Sequence, residues 1–264
     1  WLARQDREHE YVDLQPDEDA EYAETIEVDL TELEPLVAAP SMPDNVAPVS
    51  EFEGTDVEQV IVGSCTNGAY EDILPGAKML EGRTVDKKTE MIVAPGSKQA
   101  SEMLAREGWT AEMMAAGVNF SEATCGACIG IGHVPGSDSV SLRTFNRNFE
   151  GRSGIEDDNV YLCSPEVATA AAITGEIVDP RDLADDLGDL EAPGLEMGTK
   201  YGPGMGEDDS DIISPDEAID DGLVKGPNIG DVPLKDGIDV DGGEALLKME
   251  DNITTDHIIP ATAD

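Results

Sequence analysis

Between residues 57 and 174, short apolar runs alternate with segments of helical periodicity. The runs have the length of buried strands, and several helical segments follow a serine or precede a glycine, as capped helices do. Strands are predicted at 57–62, 90–93, 139–145 and 160–162, and helices at 70–80, 98–106, 110–116 and 165–174. Strands that alternate with helices in this way predict an α/β domain with a largely parallel sheet.

The pattern differs on both sides of this region. Residues 1–24 are polar and acidic and are predicted to form a connector. The α/β domain is expected over 25–178, beginning with a short strand at 26–30 and an extended, proline-rich stretch. An acidic interdomain linker is predicted over 179–231, and the start of a second domain over 232–264. The chain is therefore interpreted as a piece of a longer polypeptide.

The charge of the chain narrows the choice of partners. Its 264 residues carry a formal charge of −42, from 58 acidic and 16 basic side chains. Binding to nucleic acid needs a basic face, and an anionic membrane repels this much acid, so neither partner is expected. Acid spread along the whole chain predicts a globular surface adapted to high salt, with a disordered acidic protein as the alternative. The periodic apolar segments favour the globular interpretation.

Cysteine usage indicates the compartment. Four cysteines in a chain of this length do not suggest a disulfide framework, so a reducing, cytoplasmic setting is expected. Cys163 ends a predicted strand and is expected to be a buried thiol rather than a ligand. No apolar run approaches the roughly 18 residues of a membrane span.

The other three cysteines stand in glycine-containing loops. Cys65 follows the strand predicted at 57–62, and Cys125 and Cys128 form a Cys-x-x-Cys pair. If all three bind an iron–sulfur cluster, one iron of a 4Fe–4S cube has no protein ligand and is an open Lewis-acid position. Alternatively, His133 joins them in a zinc site, the pair is a redox dithiol, or the cysteines are small buried residues. Spacing alone leaves these interpretations open.

Basic residues are concentrated in one segment of this acidic chain. Arg143, Arg147 and Arg152 fall within ten residues, after a predicted strand. Guanidinium groups suit bidentate binding of carboxylates, whereas surface arginines that pair with nearby acid contribute little. The density and position favour a functional role. An isolated pair such as Asp256-His257 is, by contrast, more often structural than catalytic.

Four motifs together resemble the aconitase family in order and spacing. They are Gly63-Ser64-Cys65-Thr66-Asn67, Cys125-Gly126-Ala127-Cys128-Ile129-Gly130, Phe145-Asn146-Arg147-Asn148-Phe149-Glu150-Gly151-Arg152 and Ser164-Pro165-Glu166. The proline-rich stretch at 29–49 also resembles the approach to the third domain of the family. Residues 254–258, Thr-Thr-Asp-His-Ile, resemble the opening of its fourth, swivelling domain.

The resemblance implies a three-layer domain with a 4Fe–4S cluster and a small tricarboxylate substrate. The implied cluster ligands are Cys65, Cys125 and Cys128. The residues implied to contact cluster or substrate are Asn146, Arg147 and Arg152. Asp256 is implied to lie at the active-site face, and the catalytic serine base of the family lies outside this chain. The expected partners are the remaining domains of the same polypeptide, and the fragment by itself is expected to be inactive.

The substrate implied by the resemblance is citrate, interconverted with isocitrate through cis-aconitate. The form of the Cys125–Cys128 loop and the continuation of the chain past residue 180 favour this choice. Ile259, however, stands where aconitases commonly carry serine, and its surroundings resemble the small subunit of isopropylmalate isomerase. Isopropylmalate or homoaconitate isomerase is therefore the alternative, and a non-catalytic zinc or dithiol module is the alternative of another class.

Overall fold

A computed structural model describes residue 2, residues 7–183 and a few positions at 226–227, 229–230, 247–249, 251 and 253. The linker predicted over 179–231 and the domain start predicted over 232–264 lie almost entirely outside these residues. Asp256 and His257 also lie outside them. Both remain predictions.

Within the described residues, seven strands form one mixed sheet in the order β2-β1-β7-β6-β3-β4-β5. The strands are β1 (Leu36–Ala38), β2 (Val46–Pro48), β3 (Gln59–Gly63), β4 (Glu90–Ala94), β5 (Asn119–Phe120), β6 (Val140–Arg143) and β7 (Asn159–Leu162). The strands from β7 to β5 pair in parallel, while β1 pairs antiparallel with both β7 and β2. The predicted α/β fold with a largely parallel sheet is confirmed.

The part of the chain that the structure describes also contains five α-helices and several short 3-10 helices. The α-helices are α1 (Ser64–Asn67), α2 (Tyr70–Leu80), α3 (Lys98–Arg106), α4 (Trp109–Ala116) and α5 (Pro165–Thr174). The 3-10 helices span Glu8–Glu10, Val49–Glu51, Gly126–Ile129 and Pro180–Leu183. None of the described helices is long and apolar enough to cross a membrane.

Local caps explain why the longer helices begin where the sequence predicts. The Ser164 hydroxyl accepts a hydrogen bond from the Val167 amide at 3.3 Å, and Pro165 occupies the first turn of α5. At α3, the Ser97 hydroxyl accepts one from the Ala100 amide at 3.1 Å. Each cap satisfies an amide that has no partner inside its helix.

Different elements pack against the two faces of the sheet. Val60 and Val62 of β3 pack into a core with helices α2, α4 and α5, whereas Ile61 faces the opposite side. There Ile61 joins a second core that includes Ala127 and Cys128. Because side chains alternate along a strand, every second residue of β3 and β6 points toward the cysteine loop. That loop therefore forms the third layer over this part of the sheet.

The strand predicted at 26–30 is wrong. These residues pair with no other strand, and Ile26 and Leu30 are 79% and 76% exposed. The first strands instead form in the proline-rich stretch that follows. Pro48 fits there because β2 is an edge strand, where a missing amide hydrogen costs no ladder bond.

Candidate metal centre

The predicted site residues follow the carboxyl ends of parallel strands of the sheet. Cys65 comes after β3, Cys125 after β5, and Asn146 after β6. Since parallel strands end at the same edge of a sheet, these loops meet on one side of the domain, which is where ligands bind in open α/β folds.

In the turn from β3 into α1, the two residues before Cys65 have unusual backbone conformations. Gly63 has φ +123°, and a Cβ built there would lie 2.0 Å from the Ala94 carbonyl oxygen, so only glycine fits. Ser64 has φ +65°, in the left-handed region that residues other than glycine rarely adopt. Such outliers persist where surrounding structure imposes them, often at functional sites. Here the turn buries Ser64 and leaves Cys65 exposed.

The same turn is tied to the end of β6. The Gly63 amide donates to the Thr144 hydroxyl at 2.9 Å, and the Asn67 side-chain amide donates to the Thr144 carbonyl at 2.5 Å. Thr144 is buried and stands two residues before Asn146. The segment that carries Cys65 and the one that carries Asn146 are thus held together by buried hydrogen bonds.

The second pair of cysteines lies on one tight turn. Cys125 precedes the 3-10 helix Gly126–Ile129, and the Cys128 amide donates to the Cys125 carbonyl at 3.1 Å. Gly130 then closes the turn at φ +83°, where a Cβ would lie 2.0 Å from the Ser153 carbonyl oxygen. Cys125 remains exposed and Cys128 is buried against the sheet.

The structure brings the two cysteine segments together. The Ser64 hydroxyl and the Cys128 thiol lie 2.8 Å apart, although 64 positions separate them in sequence. Burial raises the pKa of the Cys128 thiol, the Ser64 hydrogen bond and Arg152 lower it, and Cys125 and Cys65 raise it further. The contact between Ser64 and Cys128 therefore brings the loop of Cys65 against the turn that carries Cys125 and Cys128.

The donor set fits a cluster better than a single ion. All four cysteines are free thiols. Within the described part of the chain, no three His, Cys, Asp or Glu side chains converge as ligands of one metal ion. His133 has a buried Nδ1 without a hydrogen-bond partner, but it does not complete a zinc site with the cysteines. Thiolates that share a cubane cluster bind different irons, so three cysteines on two glycine-containing turns suit that group.

The structure separates Arg143 from the other arginines. Its side chain is fully buried, and burial lowers its pKa to about 10, so the guanidinium stays charged at neutral pH. It faces the cysteine loop because it alternates with Leu142, which packs on the helix side. Arg143 therefore differs from Arg147 and Arg152, the two arginines that the resemblance assigns to the cluster or substrate.

The remaining candidates lie along the loop after β6. Asn146 is exposed and Arg147 is half-buried, with the Arg147 guanidinium donating to the Asn146 side-chain carbonyl at 3.4 Å. Arg152 is 9% exposed and lies over the Phe149 ring, with the guanidinium carbon 5.6 Å from the ring centroid. The positive charge of Arg152 lowers the pKa of the Cys128 thiol.

Sequence reasoning missed residues that hold this loop in shape. The buried Asp158 carboxylate accepts hydrogen bonds from the Gly151 amide at 3.2 Å and from the Ser153 amide at 2.9 Å. Asp158 follows two other acidic residues in a chain rich in acid, so nothing in the local pattern distinguishes it. Ser64 stood inside a recognised motif, but its contact with Cys128 depends on the tertiary fold.

Comparison with known proteins agrees with an α/β domain that carries cysteines at the carboxyl edge of its sheet. Residues 50–175 match the aconitase family (aconitate hydratase). The resemblance to the aconitase family that the motifs predict is thereby confirmed over this region.

The relatives found by sequence include large subunits of 3-isopropylmalate dehydratase. The chain is 44% identical over 169 residues to the 3-isopropylmalate dehydratase large subunit of Heliobacterium modesticaldum, a match that covers 63% of this chain and 40% of the relative. It is also 44% identical over 185 residues to 3-isopropylmalate dehydratase large subunit 1 of Archaeoglobus fulgidus, covering 69% and 44%. The chain thus spans less than half the length of these relatives.

Proposed function

We propose that this chain is the cluster-binding part of a hydro-lyase, with Cys65, Cys125 and Cys128 as ligands of a 4Fe–4S cluster. The observation that carries the proposal is the contact between Ser64 and Cys128, which joins the two cysteine segments at the carboxyl edge of the sheet. Family membership of residues 50–175 supports it. When bound, the cluster supplies an iron without a protein ligand that acts as a Lewis acid.

The chain's own residues contribute binding and orientation. Arg147 and Arg152 lie on the loop after β6 and offer guanidinium groups to the carboxylates of a di- or tricarboxylate substrate. Fixed positive charge matters here because a net charge of −42 repels anionic substrates. The Ser64 hydroxyl orients the Cys128 sulfur. The base that removes a proton from carbon belongs to the domains that complete the enzyme.

For the substrate, we propose a 3-isopropylmalate-type hydroxy acid. The support is that two relatives 44% identical to this chain are 3-isopropylmalate dehydratase large subunits. Citrate, the substrate implied by the sequence motifs, is the second candidate. It is favoured by one observation: the chain runs on past residues 50–175, which match the aconitase family, into residues that resemble a swivel domain.

Turnover by the completed enzyme decides between these substrates. The chain is joined to the domains that complete it, loaded anaerobically, and assayed with 3-isopropylmalate, homoaconitate and citrate at matched concentrations. The proposal expects the highest kcat/KM with 3-isopropylmalate. A preference for citrate would support the second candidate. A loaded enzyme that neither dehydrates citrate or 3-isopropylmalate nor hydrates homoaconitate would contradict the hydro-lyase assignment.

Conservative substitution of the loop arginines tests their role in substrate binding. Arg147→Lys or Arg152→Lys in the completed enzyme keeps the charge but removes bidentate geometry, so kcat/KM is expected to fall about tenfold or more. Iron content should stay at the parent value. Lys78→Arg on helix α2 is the matched control. Unchanged kinetics in both loop variants would refute the role in binding carboxylates.

We also propose that the surface is adapted to high salt, as the spread of acid indicates. Salt screens the mutual repulsion of surface carboxylates, so the melting temperature of the chain is expected to rise between dilute buffer and molar KCl. An uncharged osmolyte at equal osmolality is the control and should give a smaller rise. A melting temperature that does not depend on KCl would contradict the proposal.

A further inference from the structure

Arg143 is a buried charge that the proposed reaction does not use. Its guanidinium donates from Nε to the Ser141 hydroxyl at 3.0 Å, from Nη2 to the Gln59 side-chain oxygen at 3.1 Å, and from Nη1 to the Ala127 carbonyl at 3.3 Å. All three acceptors are uncharged. A buried charge is costly unless an opposite charge compensates it.

Three ionisable groups act on the charge of Arg143. Asp158 and the Cys128 thiolate favour the charged guanidinium, and Arg152 opposes it. Asp158 already accepts hydrogen bonds from the 151–153 turn. Cys128 is therefore the negative group of the cysteine turn that faces this cation, and it is negative when it acts as a ligand.

The third hydrogen bond reaches the cysteine turn directly. Ala127 lies between the two cysteines of the Cys-x-x-Cys pair and is itself buried. By holding the Ala127 carbonyl, Arg143 links the turn to Gln59 of β3 and Ser141 of β6. The rigid fork of a guanidinium can hold three acceptors at once, which an ammonium group on a flexible stem does less well.

We propose that Arg143 is a positioning residue for the cluster: it anchors the Cys125–Cys128 turn and places a permanent positive charge behind the thiolates. This inference rests on the proposed cluster function. Removing the anchor should loosen the turn and speed loss of the cluster. Removing the charge should make the cluster harder to reduce, because reduction adds negative charge beside the guanidinium.

Two substitutions separate the anchor from the charge. The 264-residue chain, reconstituted anaerobically, is compared with Arg143→Lys, Arg143→Gln and the surface control Arg106→Gln on α3. The readouts are the half-time of cluster loss to a chelator and the midpoint potential of the cluster. Arg143→Gln should lose the cluster about tenfold faster and shift the potential to more negative values. Arg143→Lys should lose it faster at an unchanged potential, and Arg106→Gln should match the parent.

The outcomes keep this inference distinct from the proposed function. A folded Arg143→Gln chain with the half-time and potential of the parent would overturn it. If that variant does not fold, an Arg143→Lys chain with the parent's half-time overturns it instead. A parent chain that takes up no cluster contradicts the proposed function. The anchor is then judged by amide hydrogen exchange at 126–131 without cluster, where Arg143→Gln must exchange faster than the parent.

Discussion

Replacing Cys65, Cys125 or Cys128 with serine is expected to leave the chain unable to retain an iron–sulfur cluster. A serine hydroxyl is a poor substitute for a thiolate ligand, and with only three protein ligands there is no spare one. Bound iron after anaerobic reconstitution and desalting should fall about tenfold or more in each variant.

Cys163→Ser is the matched control for this series. Cys163 follows β7 at the same edge of the sheet but is partly buried, and burial raises the pKa of its thiol. Its replacement should leave the iron content at the parent value. Retention of the cluster in any of the three ligand variants, or its loss in Cys163→Ser, would show that the ligand set is assigned wrongly.

Gly130→Ala is expected to lower the free energy of unfolding by roughly 3 kcal/mol, because positive φ and a steric clash act together. The added Cβ would lie 2.0 Å from the Ser153 carbonyl oxygen, which belongs to backbone that cannot rotate away. The turn and the 151–153 segment would have to separate, so cluster retention should also fall. Denaturant unfolding of the parent and variant in molar KCl measures the first effect.

Gly132→Ala separates strain from clash. Gly132 lies two residues further along the same loop at φ +76°, and a Cβ there would meet no atom within 4 Å. Only the backbone cost remains, so a loss of about 1 kcal/mol is expected. Equal losses in the two variants would mean that the close approach between Gly130 and Ser153 does not stabilise the domain.

The sequence predicts the helices and most strands of this domain better than it predicts which strands pair with one another. Helices α3 and α5 begin at serine caps and were located by local signals that operate within a few residues. The strand expected at 26–30 failed for a non-local reason, because alternation makes a strand only where a partner strand lies alongside it. The pairing of β1 with β7 joins residues far apart in sequence, which no local pattern reveals.

For the candidate site too, the sequence identifies some residues, while the role of others depends on contacts made in the folded chain. The motifs around Cys65 and Cys125 identify the candidate ligands, because residue types and spacing carry that signal. The role of Arg143 depends on the fact that the cysteine turn covers its face of the sheet. Alternation with Leu142 indicates only which face Arg143 lies on. Burial and hydrogen-bond partners distinguish it from Arg147 and Arg152, and these follow from contacts between distant segments.

The decisive test of whether Cys65, Cys125 and Cys128 bind a 4Fe–4S cluster is anaerobic reconstitution of the chain with iron and sulfide. Metal and sulfide analysis and EPR then report what is bound. With three cysteine ligands, about four irons and about four sulfides per chain are expected. One iron should be lost more readily than the others because it has no protein ligand. Mild oxidation should therefore produce the EPR signal of a three-iron cluster. A chain that binds zinc tightly and incorporates no sulfide would contradict the assignment of these cysteines as ligands of an iron–sulfur cluster.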